Sequence, residues 1–215
     1  MFQGIFLIIK MVKLIVFDFD GVILDNYELH YQMCKVGIND LSREEHRRLF
    51  DGNIHVEREK LKDRNTGYDI KGEFNEAKKF MIIDDLVKSE LEKMSSEYKL
   101  GIISSAKEEG IYDCLRLNDL KGLFSFVYGS ESGISKSEKF KKVFREFGVS
   151  GEDCVFVTDT VGDVKEGYEI GVKGVAVDFG YHERERFERL KGLGGFEGLE
   201  IVSGFGEIYG VVKGL

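Results

Sequence analysis

The sequence predicts an α/β protein in which a doubly wound parallel sheet carries an inserted block of α-helices. Three observations predict this class: short apolar runs recur at wide spacing, helical patterns lie between most of them, and one long interval holds helical patterns alone. Strands that alternate with helices along a chain are typical of a parallel sheet covered by helices on both faces.

Six short segments are predicted to form the strands. All but the last are continuous apolar runs rather than alternating ones, as expected for strands that are buried on both faces. The segments are residues 14–17, 100–103, 126–128, 154–157, 175–177 and 200–202.

Helices are predicted between these strands from apolar residues at helical spacing. The clearest is segment 137–148, in which Phe140, Val143 and Phe147 share one face. Gly148 is expected to end this helix, because glycine readily adopts the left-handed conformation found after a helix. The other two segments are 107–120 and 161–171.

The interval between the first two strands predicts a separate helical domain. The simplest division assigns residues 1–25 and 98–215 to the sheet domain and residues 26–97 to the insertion. Ligands of open α/β sheets bind at the carboxyl ends of the strands, so we expect the inserted helices to stand over that edge. Their predicted segments are 27–36, 43–50, 56–63 and a long one of about 73–94.

Composition limits the classes of function. Hydrophobic residues make up 42% of the chain and charged residues 33%, an ordinary balance for a soluble protein. The formal net charge of −8 argues against nucleic-acid binding, which needs a basic surface. Cys34, Cys114 and Cys154 are scattered, which indicates neither a disulfide framework nor a zinc site. We therefore expect buried thiols in a cytoplasmic protein with no nucleic-acid partner.

The N-terminal segment is not expected to cross a membrane. Its apolar block at residues 5–9 is too short to span a bilayer. Lys10 and Lys13 interrupt the apolar run, and no small-residue cleavage site follows. We therefore expect no membrane partner, and Met11 is an alternative to Met1 as the start of translation.

Carboxylates follow two of the predicted strands where these end. Asp18 and Asp20 follow the first strand, and Asp159 and Asp163 follow the fourth. Carboxyl ends of parallel strands lie along one edge of a sheet, so these groups should converge there. Clustered carboxylates repel one another, and a divalent cation removes that cost. Oxygen ligands with room for water and phosphate oxygens suit Mg²⁺.

Hydroxyl groups and lysines are expected at the same edge. Ser104 and Ser105 end the second strand, while Lys136 and Lys139 lie at the start of a helix. A metal ion and a lysine together can neutralise a phosphate that a carboxylate attacks. The sequence therefore predicts a site for phosphoryl transfer.

The order of these motifs resembles that of the haloacid dehalogenase superfamily of phosphotransferases. The segment Asp-x-Asp-Gly-Val, which begins at Asp18, is similar to the first family motif. Ser104 matches the second motif, Lys136 the third, and Asp159-x-x-x-Asp163 the fourth. The resemblance covers residues 14 to about 181 and implies a Rossmann-like core, with residues 26–97 as a cap domain. It is strongest for the branch that contains phosphoglycolate phosphatases and β-phosphoglucomutases.

The resemblance implies a role for each catalytic residue. Asp18 would be the nucleophile that forms an aspartyl-phosphate. Asp20 would protonate the leaving oxygen and then activate water. Lys136 would neutralise the phosphate, with Lys139 as an alternative because the usual Lys-Pro-x-Pro motif is absent here. The aspartate at position 20 favours phosphate chemistry, because the dehalogenases of the family lack it.

The binding residues are likewise implied by the family. Ser104 and a nearby amide, that of Ser105, would hold phosphate oxygens. The Mg²⁺ ligands would be Asp18, Asp20 through its carbonyl, Asp159 and Asp163. Family members that cleave phosphonates use a cap lysine as a Schiff base, and no cap lysine is distinctive enough to nominate.

Several alternatives are open from the sequence. The function could be hydrolysis of a small phosphorylated metabolite, transfer within a sugar phosphate by a phosphomutase, or binding without turnover. The protein could be a monomer or a homodimer. Residues of the predicted cap or rim that could select a substrate are Asn26, His30, His55, Arg58, Tyr181 and His182.

Overall fold

The computed structural model describes residues 12–133 and 135–215, which contain a single six-stranded sheet. Its strands are β1 (Leu14–Phe17), β2 (Lys99–Ile103), β3 (Phe124–Tyr128), β4 (Cys154–Thr158), β5 (Lys173–Val177) and β6 (Glu200–Val202). Their spatial order is β3-β2-β1-β4-β5-β6, and all neighbouring pairs are parallel. The predicted fold class and the six predicted strands are confirmed. The apolar block 5–9 and Met11 lie outside the described residues.

Helices cover both faces of the sheet. Ile15 and Phe17 pack into one apolar cluster, whereas Leu14 and Val16 pack into a second on the opposite face. This explains why β1 is a continuous apolar run. The helices that follow β2 in the chain are α6 (Glu108–Leu117), α7 (Lys136–Phe147), α8 (Val161–Tyr168), α9 (Arg184–Gly192) and α10 (Ile208–Gly214).

The interval between β1 and β2 is helical, as predicted. Among the described residues, no helix here or elsewhere combines the length and apolar character that a bilayer crossing requires. The helices of the interval are α1 (Tyr27–Gly37), α2 (Arg43–Arg48), α3 (Ile54–Glu59), α4 (Ile70–Lys78) and α5 (Asp85–Ser95).

The prediction of one long helix over residues 73–94 is wrong. The chain leaves the helix after Lys78 and enters α5 only at Asp85, with Asp84 accepting a hydrogen bond from the Leu86 amide as its cap. Asn118 holds the connection, since its side chain accepts from the Ile83 amide and donates to the Met81 carbonyl. Apolar residues continue at helical spacing from α4 into α5, so the sequence pattern alone does not show where one helix ends and the next begins.

The two helices on either side of this break have different neighbours. Helix α4 contacts α1 and α6, whereas α5 contacts β2 and the segment that precedes α10. Leu91 and Met94 of α5 are buried in the same apolar cluster as Ile15 and Phe17. The C-terminal part of the predicted insertion thus packs directly on the sheet.

Candidate active site

The polar groups predicted at the strand ends converge at one edge of the sheet. Asp18 follows β1, and its amide donates to the carbonyl of Val157 in β4 at 2.9 Å. Gly21 lets the chain turn beside Asp159: its φ is 80°, and an added Cβ would lie 2.0 Å from Asp159 Oδ2. Any larger side chain at position 21 would displace this carboxylate, so the glycine is required both by its backbone conformation and by lack of space.

Lys136 joins two of the carboxylates. Its Nζ lies 2.9 Å from Asp18 Oδ2 and 3.2 Å from Asp163 Oδ2, and it donates to the Ile103 carbonyl at 3.0 Å. Lys139, one turn later on α7, instead donates to the Ser104 carbonyl at 2.7 Å. Both ammonium groups are buried, but only Lys136 forms an ion pair with Asp18 among the described residues.

Burial dominates the electrostatics of this cluster. It raises the pKa of Asp18 to about 7 despite the opposing effect of Lys136, and it raises the pKa of Asp159 well above its ordinary value. Burial is also the largest influence on Asp163 and opposes its ionisation, but the charge of Lys136 and hydrogen bonds from neighbouring side chains together lower the pKa of that carboxyl. For Lys139, burial and the charge of Lys136 lower the pKa to about 8. The site thus holds more buried carboxylate than its lysines compensate.

Asp159 has an oxygen that is free for a ligand. Its Oδ2 accepts a hydrogen bond from the Tyr181 amide at 2.7 Å, whereas its Oδ1 is buried without a partner among the described residues. A buried carboxylate oxygen without a hydrogen bond is costly, and coordination of a cation removes the cost. The donors at this point are carboxylate oxygens, which suit a hard divalent cation such as Mg²⁺.

The end of β2 contributes hydroxyl groups to the same cleft. Ser104 is buried, and its Oγ accepts a hydrogen bond from the Ala106 amide at 3.1 Å. Ser105 is only partly buried and lines the cleft beside it. The turn after β2 therefore lines the same cleft as Asp18 and carries hydroxyls and amides, which are groups that can bind phosphate oxygens.

Asp20 contacts a lysine that sequence reasoning missed. Lys78, at the end of α4, places its Nζ 2.7 Å from Asp20 Oδ2, and the side chain of Asn26 donates to Asp20 Oδ1 at 2.6 Å. Only 2% of the Lys78 side chain is exposed. One signal was available: Lys78 lies one helical turn after Phe74 and therefore occupies the apolar face of its helix.

Replacement of Lys78 by methionine is expected to destabilise the protein by roughly 2–3 kcal/mol, because it leaves Asp20 without its buried partner. The neighbouring Lys79→Met is a matched control, since Lys79 pairs with the exposed Glu76 and such pairs contribute under about 1 kcal/mol. Urea unfolding of both variants measures the difference. Equal midpoints for the two variants would show that the Lys78–Asp20 pair does not stabilise the folded protein.

Most of the residues predicted to select a substrate from the cap or rim lie at this cleft. His30, His55, Arg58 and Tyr181 line it, and Asn26 reaches it through Asp20. His182 does not line it: its ring accepts a hydrogen bond from the Val161 amide and contacts the Arg47 carbonyl. Further lining residues that the sequence did not suggest are Phe50, Asn53, Lys71, Phe74, Asn75, Lys107 and Glu166.

Ion pairs join the inserted helices to the sheet domain beside the cleft. Arg186 donates to both carboxylate oxygens of Asp51, at 2.8 and 3.0 Å, and also pairs with Glu44. Arg47 pairs with Glu183 at 2.8 Å. These contacts hold the insertion over the strand ends.

Comparison with known proteins identifies the family. The sequence model of the family of haloacid dehalogenase-like hydrolases matches residues 15–177 of this chain. The chain belongs to this family. The family resemblance predicted from the four motifs is therefore confirmed.

A relative of known activity is similar over part of the chain. A phosphoglycolate phosphatase from Synechococcus elongatus is 29% identical over 86 residues, which cover 40% of this chain and 41% of that protein. The alignment thus spans less than half of the curated relative.

Solved structures match nearly the whole chain. A haloacid dehalogenase-like family protein from Streptococcus pneumoniae has a TM-score of 0.74 at 18% identity, covering 93% of this chain and 97% of that one. CbbY from Rhodobacter sphaeroides, solved with phosphate, has a TM-score of 0.70 at 16% identity, covering 92% and 96%. At these identities the likeness concerns the fold alone.

Proposed function

We propose that the protein is a phosphatase that hydrolyses a small phosphorylated metabolite through an aspartyl-phosphate on Asp18. The observation that carries the proposal is the environment of Asp18, whose carboxylate lies 2.9 Å from Lys136 Nζ at the floor of a cleft. A buried carboxylate beside a buried ammonium group can approach a phosphate dianion, because the lysine compensates the negative charge of both groups. The partial similarity to a phosphoglycolate phosphatase supports this chemistry.

The residues around Asp18 have complementary roles in this proposal. Asp18 attacks phosphorus, and Lys136 neutralises the charge that accumulates on the phosphate oxygens. Ser104 and the amide of Ser105 hold those oxygens in place. Asp20 gives a proton to the leaving oxygen and later takes one from the attacking water. We assign Lys136 rather than Lys139 because Lys139 donates to the Ser104 carbonyl instead of pairing with Asp18.

The site suits Mg²⁺ as its cofactor. The ligands in this proposal are carboxylate oxygens of Asp18 and Asp159 and the carbonyl of Asp20. Asp163, which contacts Lys136 and accepts from the Thr158 hydroxyl at 3.1 Å, is a further ligand or orients a bound water. The unpartnered Asp159 Oδ1 supports this set. When bound, the metal withdraws charge from the phosphate and so favours attack by a carboxylate.

Residues 26–97 form the inserted cap in this proposal, with α5 at its C-terminal end packed on the sheet, and the cap takes part in the reaction through Lys78. This residue pairs with Asp20 and so links the α4 end of the insertion to the acid–base group. Closure of the cap excludes water from the first step, as expected for transfer of a phosphoryl group to a carboxylate. The three free, buried cysteines suit a reducing cytoplasm.

Hydrolysis of p-nitrophenyl phosphate, with Mg²⁺ and then with EDTA, tests the proposed function. We expect metal-dependent turnover, followed by selection of a phosphoglycolate-like or sugar-phosphate substrate from a panel of phosphorylated metabolites. Transfer between sugar phosphate isomers without release of phosphate would instead identify a mutase. A folded protein that binds phosphate esters but hydrolyses none of them would contradict the proposal.

Stabilisation by Mg²⁺ is expected to increase with pH. Because burial raises the pKa of Asp18 from 3.8 to about 7, the folded chain holds this proton more tightly than the unfolded chain. The contribution of protonated Asp18 to the free energy of unfolding is therefore fully present below about pH 4 and is lost as the pH rises through about 7. Mg²⁺ replaces the proton, so the gain in Tm on adding Mg²⁺ should be larger at about pH 8 than at about pH 5.

Thermal unfolding with and without Mg²⁺ across this range measures the effect. Asp159→Asn is the control, because it removes a proposed ligand and should reduce the gain in Tm at every pH. A gain in Tm that is independent of pH, or largest in acid, would argue against binding of the metal to these carboxylates.

A further inference from the structure

A second cluster of metal-ligand side chains lies within the inserted helices. His30 and Cys34 are one turn apart on the same face of α1, and His46 faces them from α2. All three side chains are buried, with exposed fractions of 6%, 0% and 0%. This cluster escaped the sequence analysis because Cys34 has no cysteine near it, and its partners are histidines on two different helices.

The distances suit a single small cation. One ligand atom from each residue can be chosen so that all three lie within 4.8 Å of one another. Cys34 Sγ lies 3.6 Å from His30 Nε2, and His46 Nε2 lies 3.0 Å from His30 Nδ1. Tetrahedral Zn²⁺, with bonds of about 2.3 Å to sulfur and about 2.0–2.1 Å to nitrogen, separates its ligand atoms by roughly 3.3–3.6 Å. These two contacts involve different nitrogens of His30, so the His30 ring must reorient for one donor from each residue to meet at a common centre.

The cluster is incompletely satisfied by hydrogen bonds alone. His46 is fully buried, yet its Nδ1 has no hydrogen-bond partner among the described residues. A neutral imidazole has one N–H donor and one lone pair, so the contact between the two rings satisfies only one nitrogen of each. Among the described residues, His30 Nε2 has the Cys34 thiol as its hydrogen-bond partner, and a thiol is a weak partner. Buried polar groups that lack partners in this way are typical of sites that receive a ligand.

We propose that His30, Cys34 and His46 bind a divalent transition-metal ion, with Zn²⁺ as the natural occupant. Both imidazoles are neutral and have a lone pair to donate, because burial lowers the pKa of His30 well below its usual value and that of His46 to about 3. Burial raises the pKa of the Cys34 thiol to about 11. Formation of the metal–sulfur bond therefore breaks the S–H bond and releases one proton to solvent.

The surroundings of the cluster permit a cation to enter and remain. His30 also lines the catalytic cleft, which provides an entry path and space for a water as fourth ligand. Three of the nearby cations have carboxylate partners: Lys78 pairs with Asp20, Arg43 with Glu28 and Arg47 with Glu183. The charge of Arg58 also acts on all three side chains of the cluster, so metal binding must outweigh this repulsion. A thiolate with two imidazoles prefers Zn²⁺ or Co²⁺ to Mg²⁺, so this site differs in selectivity from the carboxylate site. The ion would fasten α1 to α2 and thus stiffen one wall of the cleft.

Titration of the metal-free protein with Co²⁺, in the presence of excess Mg²⁺, tests the proposal. We expect one equivalent of Co²⁺ to bind with the absorption band of a thiolate–cobalt bond. Cys34→Ala should lose this band and weaken binding by on the order of 100-fold or more. Cys114→Ala is the matched control, because Cys114 is equally buried but lies outside the cluster. Asp159→Asn should retain the band, which separates this site from the carboxylate site.

X-ray absorption on the zinc-loaded wild-type protein tests the same ligand set without any substitution. We expect one sulfur at about 2.3 Å and two nitrogens at about 2.0–2.1 Å from the metal. A shell of light atoms with no sulfur, or a Cys34→Ala variant that keeps the cobalt band, would overturn the proposal. Neither readout depends on phosphatase activity, so failure of the metal proposal and failure of the proposed function are distinguishable.

Discussion

Asp18→Asn is expected to lower kcat for phosphate-ester hydrolysis by on the order of 10⁵-fold or more, which is the scale of loss when an enzyme's nucleophile is removed. The amide has nearly the same shape as the carboxylate but cannot attack phosphorus. The asparagine also removes a buried carboxyl whose ionisation the site disfavours, and Lys136 keeps its ion pair with Asp163, so the variant should fold and its Tm should not fall. Steady-state kinetics and thermal unfolding together measure both effects.

The control for this substitution is Asp25→Asn. Asp25 lies seven residues further along the chain and is exposed, so its replacement should change neither kcat nor Tm appreciably. Retention of more than about one per cent of the wild-type kcat in a folded Asp18→Asn protein would exclude Asp18 as the nucleophile.

Asp20→Asn is expected to lower kcat by about 10²–10⁴-fold, the usual contribution of a general acid–base group. The loss should depend on the substrate. An alkyl phosphate needs a proton on its leaving oxygen, whereas p-nitrophenolate leaves readily without one, so the alkyl ester should lose more activity. Kinetics on both esters measure the contrast, with phosphate inhibition as a check that binding persists.

Two outcomes would argue against this role of Asp20. An equal loss with both esters would indicate that the carboxylate acts only in the hydrolysis of the aspartyl-phosphate. Unchanged turnover with both would remove its acid–base assignment altogether, and the ion pair with Lys78 would then be purely structural.

Much of the fold could be predicted because its strands are buried on both faces. Residues 14–17 are continuous and apolar since each side chain meets helices on one face or the other. The break between α4 and α5 was missed because its cause does not lie in the local sequence. Met81 and Ile83 continue the apolar pattern of the helix. Their backbone groups instead form hydrogen bonds with the side chain of Asn118, which is distant in the sequence.

The candidate site was predictable where one strand supplies several groups, and it was not predictable where the inserted helices supply a single group. Asp18 and Asp20 are adjacent to β1, so their position follows from the strand itself. Lys78 reaches Asp20 from 58 residues away, and a sequence does not reveal that a lysine on an apolar helix face has a buried partner. Lys136 and Lys139 lie on the same face of α7, so only their contacts distinguish them.

A crystal structure with Mg²⁺ and beryllium fluoride tests the central claim most directly, because beryllium fluoride mimics a phosphoryl group attached to a carboxylate. We expect beryllium on a carboxylate oxygen of Asp18, Lys136 within hydrogen-bond distance of a fluoride, and the magnesium ion coordinated by Asp18 and by Asp159 Oδ1. An ion bound elsewhere, with the Asp18 carboxylate unmodified and Asp159 Oδ1 still without a ligand, would contradict the account.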